Sequence, residues 1–348
     1  MIPAFCKRGD VIVADRGVNF IIQKGLQISR STVRWYDHND LNSLESVLQA
    51  VDKETKKKRA PLTRRFIVTE GIFENDGAMI DLPKLVSSVY APSPPFAHAV
   101  LQIELKEKYK YRLVLDESYS FGTVGRTGRG LTELYNVPAT AIDMLVGSMA
   151  NGLCAAGGFC AGSRVVVDHQ RINGTSFVFS AAMPALLAVS ASEAIGILTD
   201  QPSVFEALRE NVQTIRATLH GVEGIEMLSH PASAVVHVAL KSGPSHLLSV
   251  PVQSSSSSGR SNPTSVASAK DPVTFDWEVE ERILQEVVDE VLNAGVLITR
   301  AKKLRGQELV EVRPTIRLAA SSALTKKETE KAAGAVKTAF VKVLSRRR

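Results

Sequence analysis

The chain has 348 residues, of which 44% are hydrophobic and 22% are charged, and its formal net charge is +6. This composition is ordinary for a globular protein and excludes a fibrous or wholly disordered chain. No run of about 18 apolar residues occurs, so the sequence predicts no membrane span of its own, and it shows no signal peptide. The three cysteines have neither a paired framework nor metal-ligand spacing, which indicates a reducing compartment and no metal site.

Basic residues concentrate in short runs, at 53–59, at 64–65 and at the terminal 346–348. No aromatic residues interleave them, as they would in a typical nucleic-acid-binding patch. We therefore interpret these runs as solvated surface and a frayed tail, with a membrane-surface or nucleic-acid patch as the alternative.

Apolar segments typical of strands alternate with helical patterns from the start of the chain to about residue 200. The predicted strands are 11–14, 65–69, 112–115 and 144–146, and the predicted helices are 42–51, 104–109, 184–198 and 204–219. This alternation predicts an α/β domain with a mostly parallel sheet.

The pattern changes from about residue 225. A strand that alternates as if half exposed is predicted at 234–240, followed by a helix at 280–293, strands at 296–299 and 315–319, and a terminal helix at 326–344. We therefore predict a large domain over residues 1–200 and a smaller α+β domain over 201–348. Residues 253–271 are Ser-rich and lack large apolar side chains, so we expect a disordered loop there.

A carboxylate pair, Asp116-Glu117, ends one of the predicted strands. Ligands of open α/β sheets bind beyond the carboxyl ends of the strands, where a carboxylate can pair with a protonated ring nitrogen. A turn or helix-capping acid is the alternative. The glycine-rich run 122–130 follows. It is not a P-loop, because no Gly-Lys-Ser/Thr closes it, and no helix begins inside it as a Rossmann loop requires.

The segments DESYSFGTVGRTGRG (116–130) and VGSMANGLCAAGGF (146–159) together resemble the α-oxoamine synthases. These are fold-type I enzymes that use pyridoxal 5'-phosphate to condense an amino acid with an acyl thioester. In the family, a lysine bonded to the cofactor precedes the small-residue run. Here Asn151 holds that place, and an amide cannot form the required bond.

The resemblance implies roles for five residues. Asp116 would meet the ring nitrogen, and Tyr119 would replace a histidine that stacks on the ring. Ser148 and Asn151 would face the cofactor from the segment 146–159, which carries the cofactor-bonded lysine in the family. Arg317 would take the place of an arginine that binds the substrate carboxylate, with a surface salt bridge as the alternative.

Other family positions have changed. Two further histidines are replaced, by Asn19 and Leu324, and the partner of the carboxylate-binding arginine is Thr315. A third motif, VTEGIFENDG (68–77), predicts that Glu70 points toward the cleft and that Asp76-Gly77 forms a turn. The catalytic side chains are lost while the scaffold motifs remain.

This set of departures resembles one branch of the family, the non-catalytic long-chain-base subunits of eukaryotic serine palmitoyltransferases. That resemblance implies a heterodimer with a catalytic subunit 2, which binds pyridoxal 5'-phosphate covalently. L-Serine and palmitoyl-CoA would react at the shared site, in a complex on the cytosolic face of the endoplasmic reticulum membrane. Against this branch, residues 87–103 look inserted, and the amino-terminal part is absent.

Two other interpretations remain open. The chain would be an autonomous pyridoxal-phosphate acyltransferase if another lysine, such as Lys302 or Lys303, bonded to the cofactor. Alternatively, it would be a regulatory binding protein or a non-functional fragment, as the absent amino-terminal part allows.

Overall fold

The structure is a computed structural model, which describes residues 1–58, 63–82, 105–180, 182–241, 277–302, 304, 306–308 and 312–347. Within these residues the chain forms two sheets, each with its own apolar core. The predicted segments 87–103 and 253–271 lie outside the described residues.

The first sheet has six strands in the order β2-β1-β3-β4-β5-β6. Its strands are β1 Val11–Asp15, β2 Thr32–Tyr36, β3 Arg65–Glu70, β4 Arg112–Asp116, β5 Met144–Ser148 and β6 Gly158–Gly162. The first five are parallel, and β6 runs antiparallel to β5. The central strands are buried on both faces, as parallel strands covered by helices must be.

Helices connect and cover this sheet. They are α1 Ile2–Phe5, α2 Phe20–Ser29, α3 Leu41–Lys58, α4 Leu105–Tyr109, α5 Leu131–Leu134, α6 Arg164–Asn173, α7 Thr175–Phe179 and α8 Ala185–Asp200. In α3, buried Leu44, Leu48 and Val51 recur at helical spacing and pack on the sheet. By contrast, α6 and α7 bury no residue, and α8 buries only Ala191.

The second sheet has four antiparallel strands in the order β7-β8-β10-β9. Its strands are β7 Ile225–Met227, β8 Val235–Leu240, β9 Thr299–Arg300 and β10 Ile316–Ala319, and its helices are α9 Ser203–Leu219, α10 Trp277–Asn293 and α11 Lys326–Ser345. A capping box at Thr325 and Glu328 fixes the start of α11. The apolar faces of the three helices and the sheet share one core.

The predicted α/β class with a mostly parallel sheet is confirmed. Two details were wrong. The strand predicted to be half exposed at 234–240 is buried along all of β8, because helices cover one of its faces and the first-sheet turn at Asp76-Gly77 meets its start. Of the strand predicted at 296–299, only Thr299 is in a strand, since pairing with β10 begins there. The predicted boundary at residue 200 coincides with the end of α8 and stays a prediction.

No helix in the described part of the chain is both long enough and apolar enough to cross a membrane.

Candidate functional site

The carboxyl ends of the parallel strands bring several polar side chains to one edge of the first sheet. Glu70 at the end of β3 lies opposite Asp116 at the end of β4, and Asp116 lies opposite Val146, two residues before Ser148. This is the edge at which ligands of open α/β sheets bind.

A cavity of about 670 Å³ opens at this edge. Asp116, Ser118 and Ser148 are among its polar lining groups, and most of the remaining wall is apolar. The apolar wall includes Ile21, Val68, Val114, Val146, Phe159 and Phe177. A cavity with a few convergent polar groups in an apolar wall is typical of a small-molecule site.

Asp116 is the acidic group that lines this cavity. Burial raises the pKa of its carboxyl, and hydrogen bonds from Ser118, whose backbone N–H lies 2.8 Å away, oppose that shift. It forms no ion pair with any residue that the structure describes. A half-buried carboxylate that forms no ion pair with a described residue is well suited to a cationic ligand group.

Glu70 does not line the cavity, so the prediction that it points into the cleft was wrong. It is fully buried, and its carboxyl accepts hydrogen bonds from the backbone N–H groups of Asn19 at 2.5 Å and Glu74 at 3.1 Å. Burial, with the nearby charge of Asp116, raises its pKa well above the usual range. The side chain therefore holds two loops together at the edge of the sheet.

Asn151 lies in the turn after β5, and its side chain is exposed outside the cavity lining. Its Nδ2 donates to the carbonyl of Ser118 at 2.8 Å, and the Ser118 hydroxyl accepts from the N–H of Ser148 at 2.9 Å. The Ser148 hydroxyl accepts in turn from the N–H of Ala150. These bonds fasten the 148–151 loop to the turn that follows Asp116. Among the described residues, no lysine lines the cavity.

Tyr119 and Arg317 meet across the two sheets. The guanidinium of Arg317, on β10, lies 5.3 Å from the centre of the Tyr119 ring, and its Nη2 donates to the Tyr119 hydroxyl at 3.3 Å. Its Nη1 is 3.7 Å from a carboxylate oxygen of Glu74. Neither Tyr119 nor Arg317 lines the cavity, so their predicted roles in ring stacking and carboxylate binding stay predictions.

The glycine-rich run forms a closed loop held by two carboxylates. Glu117, whose pKa burial raises to about 7, accepts from the hydroxyl of Ser120 and from the N–H of Leu131 at 3.1 Å. Glu133 accepts from the N–H groups of Thr127 and Arg129. The sequence did not single out Glu133, although a carboxylate a few residues beyond a glycine run is a usable signal for such a loop.

A second network that the sequence did not single out lies beside the edge. His38 donates through both ring nitrogens, to Asp15 at 2.8 Å and to Asp76 at 2.9 Å. Burial lowers its pKa, but the two hydrogen-bonded carboxylates outweigh burial and raise it to about 10. The predicted turn at Asp76-Gly77 is present, and its Asp76 carbonyl accepts from the hydroxyl of Ser229 at 2.8 Å. This charged bridge therefore connects β1, β3 and the second sheet.

A model of the class I and II aminotransferase family matches residues 1–336 of the chain. The chain is 35% identical over 346 residues to "Serine palmitoyltransferase 1" of Dictyostelium discoideum, covering 98% of this chain and 62% of that protein. It is also 44% identical over 241 residues to "Long chain base biosynthesis protein 1b" of rice (Oryza sativa subsp. japonica). That match covers 69% of this chain and 46% of the rice protein.

Among solved structures, the chain resembles serine palmitoyltransferase from S. paucimobilis with bound PLP-myriocin aldimine. The TM-score is 0.73 at 17% identity, and the match covers 98% of this chain and 69% of that chain. At that identity the likeness establishes the fold. The chain spans about half to two thirds of the length of these curated relatives.

Proposed function

This chain belongs to the class I and II aminotransferase family, and we propose that it acts there as the non-catalytic subunit of a serine palmitoyltransferase. That enzyme condenses L-serine with palmitoyl-CoA to give 3-ketodihydrosphingosine, CO2 and CoA, a step of sphingolipid synthesis. The observation that carries the proposal is Asn151. It lies in the segment 146–159, where the α-oxoamine synthases carry the lysine that bonds to the cofactor. The chain is 35% identical, over 98% of its length, to a serine palmitoyltransferase 1.

Pyridoxal 5'-phosphate fits part of what this chain offers. Asp116 is a half-buried acid that forms no ion pair with a described residue, and it lines a cavity of about 670 Å³. A protonated ring nitrogen would supply the missing positive charge. The described lining offers no lysine for a covalent bond, so we propose that the bond is made by the catalytic subunit 2.

In this proposal the cofactor, when bound, stabilises the negative charge that develops on the amino acid substrate. This chain contributes position and electrostatics. Asp116 would hold the ring nitrogen in its protonated form, and Ser148 would lie beside it in the cavity. Asn151 would fix the loop by donating to the Ser118 carbonyl, as it does at 2.8 Å. Tyr119 and Arg317 would complete the wall between the sheets, with Arg317 able to meet a substrate carboxylate if it leaves Glu74.

The proposed partner is the catalytic subunit, joined to this chain as a heterodimer with a shared site. The proposed location is the cytosolic face of the endoplasmic reticulum membrane, where the complex would be held. Exposed apolar side chains on α6, α7 and α8 are consistent with an interface. They include Val165, Ile172, Phe177, Phe179, Leu186 and Val189.

Co-expression with a catalytic subunit 2 tests the proposal. We expect the two chains to co-purify, and we expect palmitoyl-CoA-dependent activity only when both are present. An Asp116→Asn variant should still co-purify but should lower the activity, because the ring nitrogen loses its ion-pair partner. Failure of the wild-type chain to co-purify would overturn the heterodimer. A borohydride-stable adduct of pyridoxal phosphate on a lysine of the isolated chain would instead favour an autonomous enzyme.

A further inference from the structure

Every connection that enters the amino end of the first four parallel strands carries an exposed or half-exposed basic side chain. The first residues of the strands are in register, with Val11 opposite both Thr32 and Arg65, so these connections lie along one edge of the sheet. The residues are Lys7 and Arg8 before β1, Arg30 before β2, Arg64 before β3, and Lys110 before β4.

Helix α3 brings further positive charge to the same edge. It leaves β2 at the carboxyl edge and returns toward the start of β3, where a carboxylate oxygen of Asp52 lies 3.9 Å from Nη1 of Arg65. The turns that follow Asp52 expose Lys53, Lys56 and Lys57. The basic run of α3 and the isolated basic residues of the other connections therefore form one surface, which we call the basic edge.

The acids on the basic edge are largely paired. Asp10 contacts Arg64 at 3.3 Å, and Asp52 contacts Lys56 at 2.7 Å. Of the remaining basic side chains, six form no ion pair within the described ranges. They are Lys7, Arg8, Arg30, Lys53, Lys57 and Lys110. The basic edge thus keeps an excess of positive charge.

The opposite edge of the same sheet carries carboxyl side chains that are buried, half-buried or hydrogen-bonded. It holds Asp15, Glu70 and Asp116 at the ends of their strands, with Glu117 directly after. Five-residue strands separate the two edges by about 17 Å. The exposed positive charge is therefore concentrated at one end of the strands, which gives the molecule a preferred orientation on an anionic surface.

We propose that the basic edge binds the anionic phospholipid surface of a membrane. Its positive charges come from several connections and spread over a wide surface, as suits a sheet of mobile anionic headgroups. Among the described residues of the basic edge there is no exposed aromatic side chain on which a nucleic-acid base would stack, and this favours lipid over nucleic acid. On such a surface, Asp116 and the cavity face away from the membrane. The inference does not depend on the proposed subunit function.

Flotation of the purified full chain with vesicles tests this. We expect binding to vesicles of phosphatidylcholine containing phosphatidylserine and little binding to phosphatidylcholine alone. Binding should fall steeply when NaCl is raised from about 0.05 M to about 0.5 M, because salt screens exposed charges. A triple variant, Arg30→Gln, Lys57→Gln and Lys110→Gln, should bind about 100-fold more weakly, since each basic residue near an anionic surface strengthens binding about fivefold.

The matched control neutralises three exposed lysines at the start of α11, Lys326→Gln, Lys327→Gln and Lys331→Gln, for the same change in net charge. It should bind the anionic vesicles within about twofold of wild type. Equal losses in the two triple variants would mean that net charge alone acts, and would overturn the basic edge. Tighter binding to duplex DNA or RNA than to the anionic vesicles at equal salt would overturn the choice of a membrane. Co-purification with the catalytic subunit is a separate experiment, and its result does not affect the interpretation of vesicle binding.

Discussion

At the scale of single residues, the side chain of Asn151 helps to hold the loop that follows β5. Its amide donates to the Ser118 carbonyl and so fixes the turn that follows Asp116. It also lies outside the cavity lining. The amide at this position is thus part of the loop's hydrogen bonding.

We expect Asn151→Lys to create no enzyme in the isolated chain. The new amine would start outside the cavity lining, and the substitution removes a hydrogen bond that contributes about 1 kcal/mol. The two positions predicted to replace family histidines are Asn19, which caps α2, and Leu324. Borohydride treatment with pyridoxal phosphate, followed by mass spectrometry and a palmitoyl-CoA turnover assay, checks this. Turnover above that of the wild-type chain would contradict it.

His38 gives a pH-dependent contribution to stability. Its pKa is raised to about 10 in the folded chain, above its ordinary value near 6.5. The stabilisation is therefore complete below about pH 6.5 and is lost as the pH rises through about 10. At pH 7.5 His38→Gln should lower the free energy of unfolding by about 2 kcal/mol, as loss of a charged hydrogen bond does.

The measurement is urea unfolding of wild type and His38→Gln from pH 6 to pH 10. The difference between the two proteins should shrink as the pH rises. His220→Gln, at the exposed end of α9, is the control and should leave the stability nearly unchanged at every pH. A difference for His38→Gln that grows toward pH 10 would show that the Asp15–His38–Asp76 bridge is not charged.

At the scale of elements, the glycine-rich loop is shaped by packing. Gly128 has φ +75°, and a Cβ there would lie 2.2 Å from the ring of Phe205. Gly128→Ala should destabilise the protein by about 2–5 kcal/mol, through left-handed backbone strain and overpacking together. Gly221→Ala, at φ +78° with open space around it, carries the strain alone and should cost about 1–2 kcal/mol. If denaturant unfolding shows that Gly128→Ala and Gly221→Ala lose the same free energy of unfolding, the contact with Phe205 does not contribute.

The sequence predicted the elements with strong local patterns and missed those defined by their neighbours. Strands β1, β3, β4 and β5 are short apolar runs, and all four were predicted. The two edge strands have weak local patterns, because β2 carries Arg34 and β6 is rich in glycine. They are strands because β2 pairs with β1 and β6 pairs with β5.

The candidate site also has parts that the sequence predicts and parts that it does not. The place of Asp116 beyond a strand end follows from the sequence, because strand ends share an edge. Other contacts join residues that are far apart in the chain. Arg317 contacts Tyr119 and Glu74, and His38 contacts Asp15 and Asp76. No local pattern contains such contacts.

At the scale of the whole molecule, the two sheets meet through a small set of contacts at the carboxyl edge of the first sheet. Phe205 of α9 is 1% exposed and packs on Gly128, and Arg209 donates to the Gly125 carbonyl. Ser229 donates to the Asp76 carbonyl, and the N–H of His230 donates to the Gly77 carbonyl. Because the sheets have separate cores, this junction is what couples their unfolding.

Phe205→Ala should therefore uncouple the sheets. The substitution costs about 3–5 kcal/mol and removes the largest apolar side chain of the junction. The chain has two tryptophans, Trp35 on β2 and Trp277 on α10, so Trp277→Phe and Trp35→Phe backgrounds each leave a reporter in one sheet. With Phe205 present, the two reporters should give the same urea midpoint. In Phe205→Ala the midpoints should separate, whereas Phe179→Ala, whose ring is 84% exposed, should leave them together. Coincident midpoints in Phe205→Ala would mean that the coupling runs through polar contacts instead, such as those of Ser229, Arg209 and Arg317.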